Sequence, residues 1–182
     1  MTIIPTNIPE VLIIEPTVHG DERGFFFESY NQRAWEEKTG LKTDFVQDNH
    51  SRSVRGVLRG LHYQMVQPQG KLVRLGSGEV WDVAVDMRRS SPNFGKYAAV
   101  TLSAAKKNMI WIPPGFAHGF IVLSDVADFL YKTTDYYHPQ SDQALLWNDP
   151  TVNLSWPLGG MTPQLSKKDM AGKLWAAAPK YA

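Results

Sequence analysis

Five histidines and no cysteine occur among the 182 residues, which removes thiol nucleophiles, thiolate metal sites and disulfide scaffolds together. The chemistry left to the chain is that of imidazole, phenol, ammonium, guanidinium and carboxylate groups. His62 lies in Leu58-Arg59-Gly60-Leu61-His62-Tyr63-Gln64, a strand-like run that also carries Arg59, with Lys71 a short way downstream. Holding two cations beside a histidine in a purely structural core is costly, because like charges add to the penalty of burial. An anionic ligand relieves that cost. Strict alternation sets Arg59 and His62 on opposite faces of a strand, and a bulge at Gly60 would return them to one face.

Two further segments could carry chemistry. His118 sits in Pro113-Pro114-Gly115-Phe116-Ala117-His118-Gly119, which reads as a proline–glycine turn between two strands. Tyr131 lies in Phe129-Leu130-Tyr131-Lys132-Thr133, followed by Asp135-Tyr136-Tyr137. A tyrosine in a β-sandwich ordinarily packs with its hydroxyl satisfied. Opposite a histidine across a cleft, it serves instead as the acid on the far face of a substrate whose near face meets the base. In the segment 79–87, alternation sets Trp81, Val83 and Val85 on one face and Asp82, Ala84 and Asp86 on the other. Asp82 therefore meets water or lines a polar cavity, while Asp86, beside the turn at Met87-Arg88-Arg89, reads as structural.

The elements that must position these groups are short, rich in Val, Ile and aromatics, and punctuated by Gly, Pro, Asn and Asp, the pattern of an all-β sandwich or barrel. Strands are expected at 11–14, 24–30, 45–52, 57–64, 71–75, 79–87, 97–102, 109–112, 119–123, 127–133 and 144–147. A helix is expected over 31–40, capped by Asn31, with Trp35 on its apolar face and Gly40 ending it. A second is expected to start at Ser166, and the chain from Pro157 onward to wrap the outside of the β core. The length suits a single domain spanning 1–182. Nineteen Lys and Arg against 18 Asp and Glu leave +1, too little for a broad field that grips nucleic acid or an anionic membrane. No cation precedes Arg23 and no apolar run approaches the roughly 18 residues of a membrane span, so a cytoplasmic location is expected.

The spacing Pro113-x-Gly115-x-x-His118 matches the second motif of cupin barrels. Metal-binding cupins carry His-x-His in the first motif, where this chain has His62-Tyr63-Gln64, with Lys71 nearby; the site reads as unsuited to a metal. Taken in order, Gly20-Asp21-Glu22-Arg23-Gly24-Phe25-Phe26-Phe27-Glu28-Ser29-Tyr30, Phe45-Val46-Gln47-Asp48-Asn49-His50-Ser51, Val57-Leu58-Arg59-Gly60-Leu61-His62, Gln69-Gly70-Lys71-Leu72-Val73-Arg74, Trp111-Ile112-Pro113-Pro114-Gly115-Phe116-Ala117-His118-Gly119-Phe120 and Leu165-Ser166-Lys167-Lys168-Asp169 strongly resemble the dTDP-4-dehydrorhamnose 3,5-epimerase family. The resemblance covers 11–169. Tyr63 stands where the family usually has Phe, Asp142 where it often has Glu, and the loop from Met65 to Pro68 is unlike the usual one.

What the resemblance implies is a cupin-type jelly roll with a few short peripheral helices, no cofactor, and a dTDP-4-keto-6-deoxyhexose as substrate. His62 would be the base and Asp169 its partner, Lys71 would stabilise the enolate oxygen, and Tyr131 would donate the proton on the opposite face. Arg59 and Arg23 would meet the diphosphate, Gln47, Asp48 and Asn49 the nucleotide or sugar, His118 the sugar and Lys168 the nucleotide, with Asp142 beside them. Tyr137 would stack on thymine. Arg23 and Glu28 would come from the partner subunit of a homodimer that exchanges N-terminal strands. Three other readings compete: a mono-epimerase acting on a related dTDP-4-keto-deoxysugar, a non-catalytic cupin that binds a nucleotide sugar, and a metal-dependent cupin enzyme.

Overall fold

In the computed structural model, which describes all of Met1–Ala182, runs of β-branched and aromatic residues separated by Gly- and Pro-rich turns form thirteen strands and two short helices. The chain begins with β1 (Thr2–Pro5), β2 (Leu12–Glu15), β3 (His19–Asp21) and β4 (Gly24–Phe26), then helix α1 (Gln32–Thr39). Six strands follow: β5 (Gln47–Val54), β6 (Leu58–Gln64), β7 (Lys71–Ser77), β8 (Glu79–Asp86), β9 (Tyr97–Ser103) and β10 (Met109–Ile112). The last are β11 (Phe116–Val122), β12 (Val126–Thr133) and β13 (Asp142–Ala144), with helix α2 (Lys167–Met170) near the C-terminus.

One sheet runs β1-β2-β10-β7-β12-β5 and the other β13-β6-β11-β8-β9, with every pairing antiparallel. The two pack face to face as a jelly roll. Val73, Leu75, Ile110 and Phe129 from the first meet Val80, Ala84, Leu102 and Phe120 from the second in one buried cluster. At its centre the Phe120 and Phe129 rings stack with centroids 3.9 Å apart. Each of the larger side chains contributes about 1.5–3 kcal/mol by leaving water, which makes this layer the main source of stability. The five-stranded sheet is covered on its other face as well, by the C-terminal segment, whose Val152 and Ala178 are buried against Leu61, Val83, Val85 and Ala117. That second cover explains why β8 is buried almost throughout instead of alternating.

The helices follow their caps. Asn31 accepts from the Ala34 N–H, Trp35 is buried, and Gly40 ends α1 in the left-handed conformation. Ser166 starts α2 with a reciprocal capping box to Asp169. Several boundaries differ from the sequence expectation. β11 starts at Phe116 and not at Gly119, so His118 belongs to a strand; only Pro113-Pro114-Gly115 makes the turn, and buried Phe116 already pairs with Asp86. β4 ends at Phe26, not Tyr30, because the following residues lead into the α1 cap. The last strand lies at Asp142–Ala144 in place of 144–147, and β1 and β3 were not anticipated.

Candidate active site

The site lies where the apolar layer between the sheets gives way to polar side chains. Against β11, His62 is opposite His118 while Arg59 is opposite Phe120, so β6 spends three residue steps where β11 spends two. The extra residue is a bulge at Gly60, which puts Arg59 and His62 on one face. Only glycine fits there: Gly60 has φ +129°, and a Cβ would come within 2.6 Å of the Gly119 Cα and 2.9 Å of the His118 carbonyl oxygen. The opposite sheet supplies its own groups by simple alternation. Lys71 pairs with Thr133, Val73 with Tyr131 and Leu75 with the core residue Phe129, so Lys71 and Tyr131 share the inward face. Gln47 and Asn49 of β5 pair with Thr133 and Tyr131 and share it too.

His62 is held from behind. Its Nε2 lies 2.7 Å from Asp169 Oδ1, with 29% of the histidine side chain exposed and 3% of the aspartate. The approach is a close contact and not a well-angled hydrogen bond. The Gly60 N–H donates to the same Oδ1 at 3.1 Å, so the carboxylate also satisfies the backbone donor at the bulge. The other oxygen, Oδ2, accepts from Ser166 Oγ at 2.6 Å and from the Ser166 N–H at 3.3 Å. Burial alone would push the Asp169 pKa up, but the contacts from His62, Ser166 and Gly60 outweigh it and hold the carboxyl at about 2. A carboxylate this close to Nε2 favours the proton on that nitrogen over Nδ1.

A second imidazole stands beside the first. His118, the cross-strand partner of His62, has its Nε2 3.0 Å from both oxygens of Asp82, which has no exposed surface. Its Nδ1 is 3.5 Å from Lys71 Nζ. Desolvation lowers the His118 pKa against the pull of Asp82, with Lys71 and His62 adding to the lowering. Desolvation also lowers Lys71, to about 8, while Asp82 and Asp142 act to raise it. Tyr131 is raised by burial and by Asp142, with the Arg59 guanidinium opposing.

Around these groups the rim is polar. Arg59 is exposed and donates through Nε to Ser53 Oγ at 3.1 Å. The Tyr137 hydroxyl donates to Asp142 Oδ2 at 2.9 Å, and Lys168 bonds the same oxygen. Gln47 Oε1 accepts from the Tyr137 N–H at 3.2 Å, and Gln47 Nε2 donates to Asn49 Oδ1 at 3.0 Å. Three expected residues are not brought into this cleft. Asp48 alternates to the outer face of β5, where Lys132 holds it at 3.0 Å. Arg23 is 89% exposed on the β3–β4 hairpin and pairs with Asp21, and Glu28 accepts from Asn31 Nδ2. No three His, Asp or Glu side chains converge as ligands for an ion. Sequence reasoning did not assign Asp82, Ser166 or the Gly60 N–H, although the Ser166-x-x-Asp169 spacing is a legible capping box.

A jelly roll that gathers a carboxylate-backed imidazole, an ammonium and a phenol at one open end belongs to the cupin-type enzymes built for proton transfer at carbon. The family model for dTDP-4-dehydrorhamnose 3,5-epimerase matches residues 5–177, and the chain belongs to that family of isomerases. It is 61% identical over 171 residues to the dTDP-4-dehydrorhamnose 3,5-epimerase of Pseudomonas aeruginosa, covering 94% of each chain. The crystal structure of a dTDP-6-deoxy-D-glucose-3,5-epimerase from Legionella pneumophila, in complex with dTDP-4-keto-L-rhamnose, superposes with a TM-score of 0.95 at 54% identity, covering 100% of this chain and 98% of that one. A 3'-monoepimerase from Streptomyces bikiniensis, in complex with dTDP-quinovose, superposes at 0.88 with 30% identity, covering 94% of this chain and 87% of that one.

Proposed function

We propose that the chain converts dTDP-4-dehydro-6-deoxy-D-glucose to dTDP-4-dehydro-L-rhamnose by inverting C3 and C5 on either side of the C4 ketone. The observation that carries this reading is the His62–Asp169 contact at 2.7 Å, with His118, the cross-strand partner of His62, 3.5 Å from Lys71, which shares its inward face with Tyr131. The ketone acidifies the hydrogens on both adjacent carbons. His62 takes one as a proton on Nδ1, and the C–H electron pair moves to the ketone oxygen as an enolate. Asp169 stabilises the imidazolium, and the Lys71 ammonium neutralises the enolate oxygen as its charge develops. Tyr131 then delivers its phenolic proton to the opposite face of the carbon, which restores the ketone with inverted configuration. Solvent resets both groups, and the cycle repeats at the second carbon.

In the same reading Arg59 meets the diphosphate, Tyr137 stacks on thymine, Asp142 and Lys168 flank the nucleotide, and Gln47, Asn49 and His118 contact the sugar. Asp48, held by Lys132 on the outer face, is left out of this set. The cleft is completed by Arg23 and Glu28 of a partner subunit, delivered by exchange of N-terminal strands in a homodimer. The exposed hairpin supports this, since Phe25 and Phe26 are 63% and 68% exposed there. No helix is long and apolar enough to cross a membrane, and a nucleotide-sugar substrate supports action in the cytoplasm. The test is incubation with dTDP-4-keto-6-deoxyglucose in heavy water, followed by NMR. Deuterium at both C3 and C5 is expected. Label at one carbon would mean a mono-epimerase, and no label would mean a non-catalytic binder.

A further inference from the structure

Two carboxylates have no exposed surface, Asp82 and Asp86. Asp86 is accounted for, because it accepts from Arg88 through Nε and Nη2, from the Arg88 N–H and from Ser91 Oγ, and so anchors the turn after β8. Asp82 has no such set. Its sole hydrogen-bond partner is His118 Nε2, at 3.0 Å from each oxygen. Burying a carboxylate with no backbone donor and no direct hydrogen bond from a Lys or Arg is expensive, and an all-apolar pair in place of Asp82 and His118 would serve a purely structural core at least as well. Stability does not explain it, whereas its line of contact does: Asp82 touches His118, and His118 Nδ1 faces Lys71 Nζ at 3.5 Å.

We infer that Asp82 is a positioning residue for the epimerisation, which acts through His118 to keep Lys71 an ammonium aimed into the cleft. This rests on the reading of Lys71 as the group that neutralises the enolate oxygen. With Asp82 accepting from Nε2–H, Nδ1 must present its lone pair, and that lone pair accepts one N–H of Lys71. Two N–H groups of Lys71 are left for the substrate. Without Asp82 the imidazole is free to carry its proton on Nδ1, donor against donor, and to push the ammonium away.

The electrostatics run the same way. Lys71 faces Asp82 and His118 from the opposite sheet, Asp142 from β13 and Lys168 from α2. His118 faces Asp82, Lys71 and His62. Burial already brings Lys71 down to about 8, and Asp82 is the largest influence opposing it. The ammonium is the protonated form, so activity that needs it is present below this value and is lost as pH rises through it. Removing Asp82 lowers the value and moves that loss to lower pH.

The test is Asp82→Asn, with kcat and KM measured from about pH 6 to pH 10 on dTDP-4-keto-6-deoxyglucose. The alkaline limb of kcat is expected about one pH unit lower, with kcat at pH 8 down roughly fivefold and KM within about twofold of the parent. An unmoved limb overturns the inference. A second measurement needs no variant: 15N NMR of the wild-type imidazoles is expected to show His118 neutral, with its proton on Nε2, at pH 7. An Nδ1–H tautomer or an imidazolium overturns it equally. Lys71→Met with full turnover would instead sink the role given to Lys71, while leaving the His118 tautomer as stated.

Discussion

The two carboxylate–imidazole pairs of this molecule sit side by side on β6 and β11 and differ in almost everything but their atoms. In one, Asp169 reaches His62 Nε2 at 2.7 Å from a helix cap near the C-terminus, and the histidine keeps 29% of its side chain open. In the other, Asp82 meets His118 Nε2 at 3.0 Å from inside the sheet, and the histidine is 7% exposed. Burial lowers the pKa of His118, and both Lys71 and His62 lower it further. Two adjacent imidazoles cannot both carry charge cheaply. Charge on the buried imidazole is therefore disfavoured beside the Lys71 ammonium, whereas in the proposed reaction the open imidazole becomes the imidazolium when it takes a substrate proton. In that reaction the same two functional groups hold a proton in one place and move it in the other, and what differs between them is solvent access and one neighbouring lysine.

The comparison breaks most directly at the histidines. His62→Ala is expected to lower deuterium exchange at both C3 and C5 by about 10³-fold or more, since it removes the proposed base. His118→Ala is expected to leave exchange measurable, down roughly 10–100-fold, because it disturbs the ammonium without removing the base. Equal losses in the two variants, read by NMR in heavy water, would end the division of labour. Tyr131→Phe sharpens the same contrast from the opposite sheet. It is expected to cut formation of the L-sugar by roughly 10²-fold while His62 still exchanges solvent deuterium onto the face it strips. Loss of exchange and inversion together would mean that Tyr131 does not act as a separate acid.

Asp169→Asn should fall between these in severity for turnover, at about 10²-fold in kcat, because an amide can present its NH2 to Nε2 and favour the unproductive tautomer. A kcat within twofold of the parent would show that the 2.7 Å contact orients nothing.

How much of this was readable beforehand depends on whether the information is local. The Asn31 and Ser166 caps, the Gly40 stop and most strand cores follow from neighbours in sequence and stand in the structure as expected. The bulge at Gly60 was reachable as well, because parity alone separates Arg59 from His62 and only an extra residue reunites them. His118 misled: Pro113-Pro114-Gly115 reads as a turn that continues through the histidine, and only cross-strand pairing with Ala84 makes that stretch β11. Asp82 had a visible face but no visible burial, since the residues that close over that face come from the opposite sheet, among them Phe129 some forty-seven positions later. Asp169 was reached through family resemblance, because nothing local ties a helix cap to a histidine so far upstream.

The smallest effect tests Asp169 as part of the fold. Asp169 titrates at about 2 in the folded chain against 3.8 when unperturbed, so its charge stabilises the native state wherever the unfolded chain is ionised. That contribution is complete above about pH 4 and is lost as pH falls through about 2. The shift corresponds to roughly 1–2 kcal/mol once screening from the open side of the cleft is allowed for. The difference in unfolding free energy between the parent and Asp169→Asn is accordingly expected to shrink by that amount between pH 5 and about pH 2, measured by denaturant titration. A gap that stays constant over this range would mean that the contacts from Ser166 and Gly60 serve the carboxyl group equally well without its charge, and that the charge is kept for His62 alone.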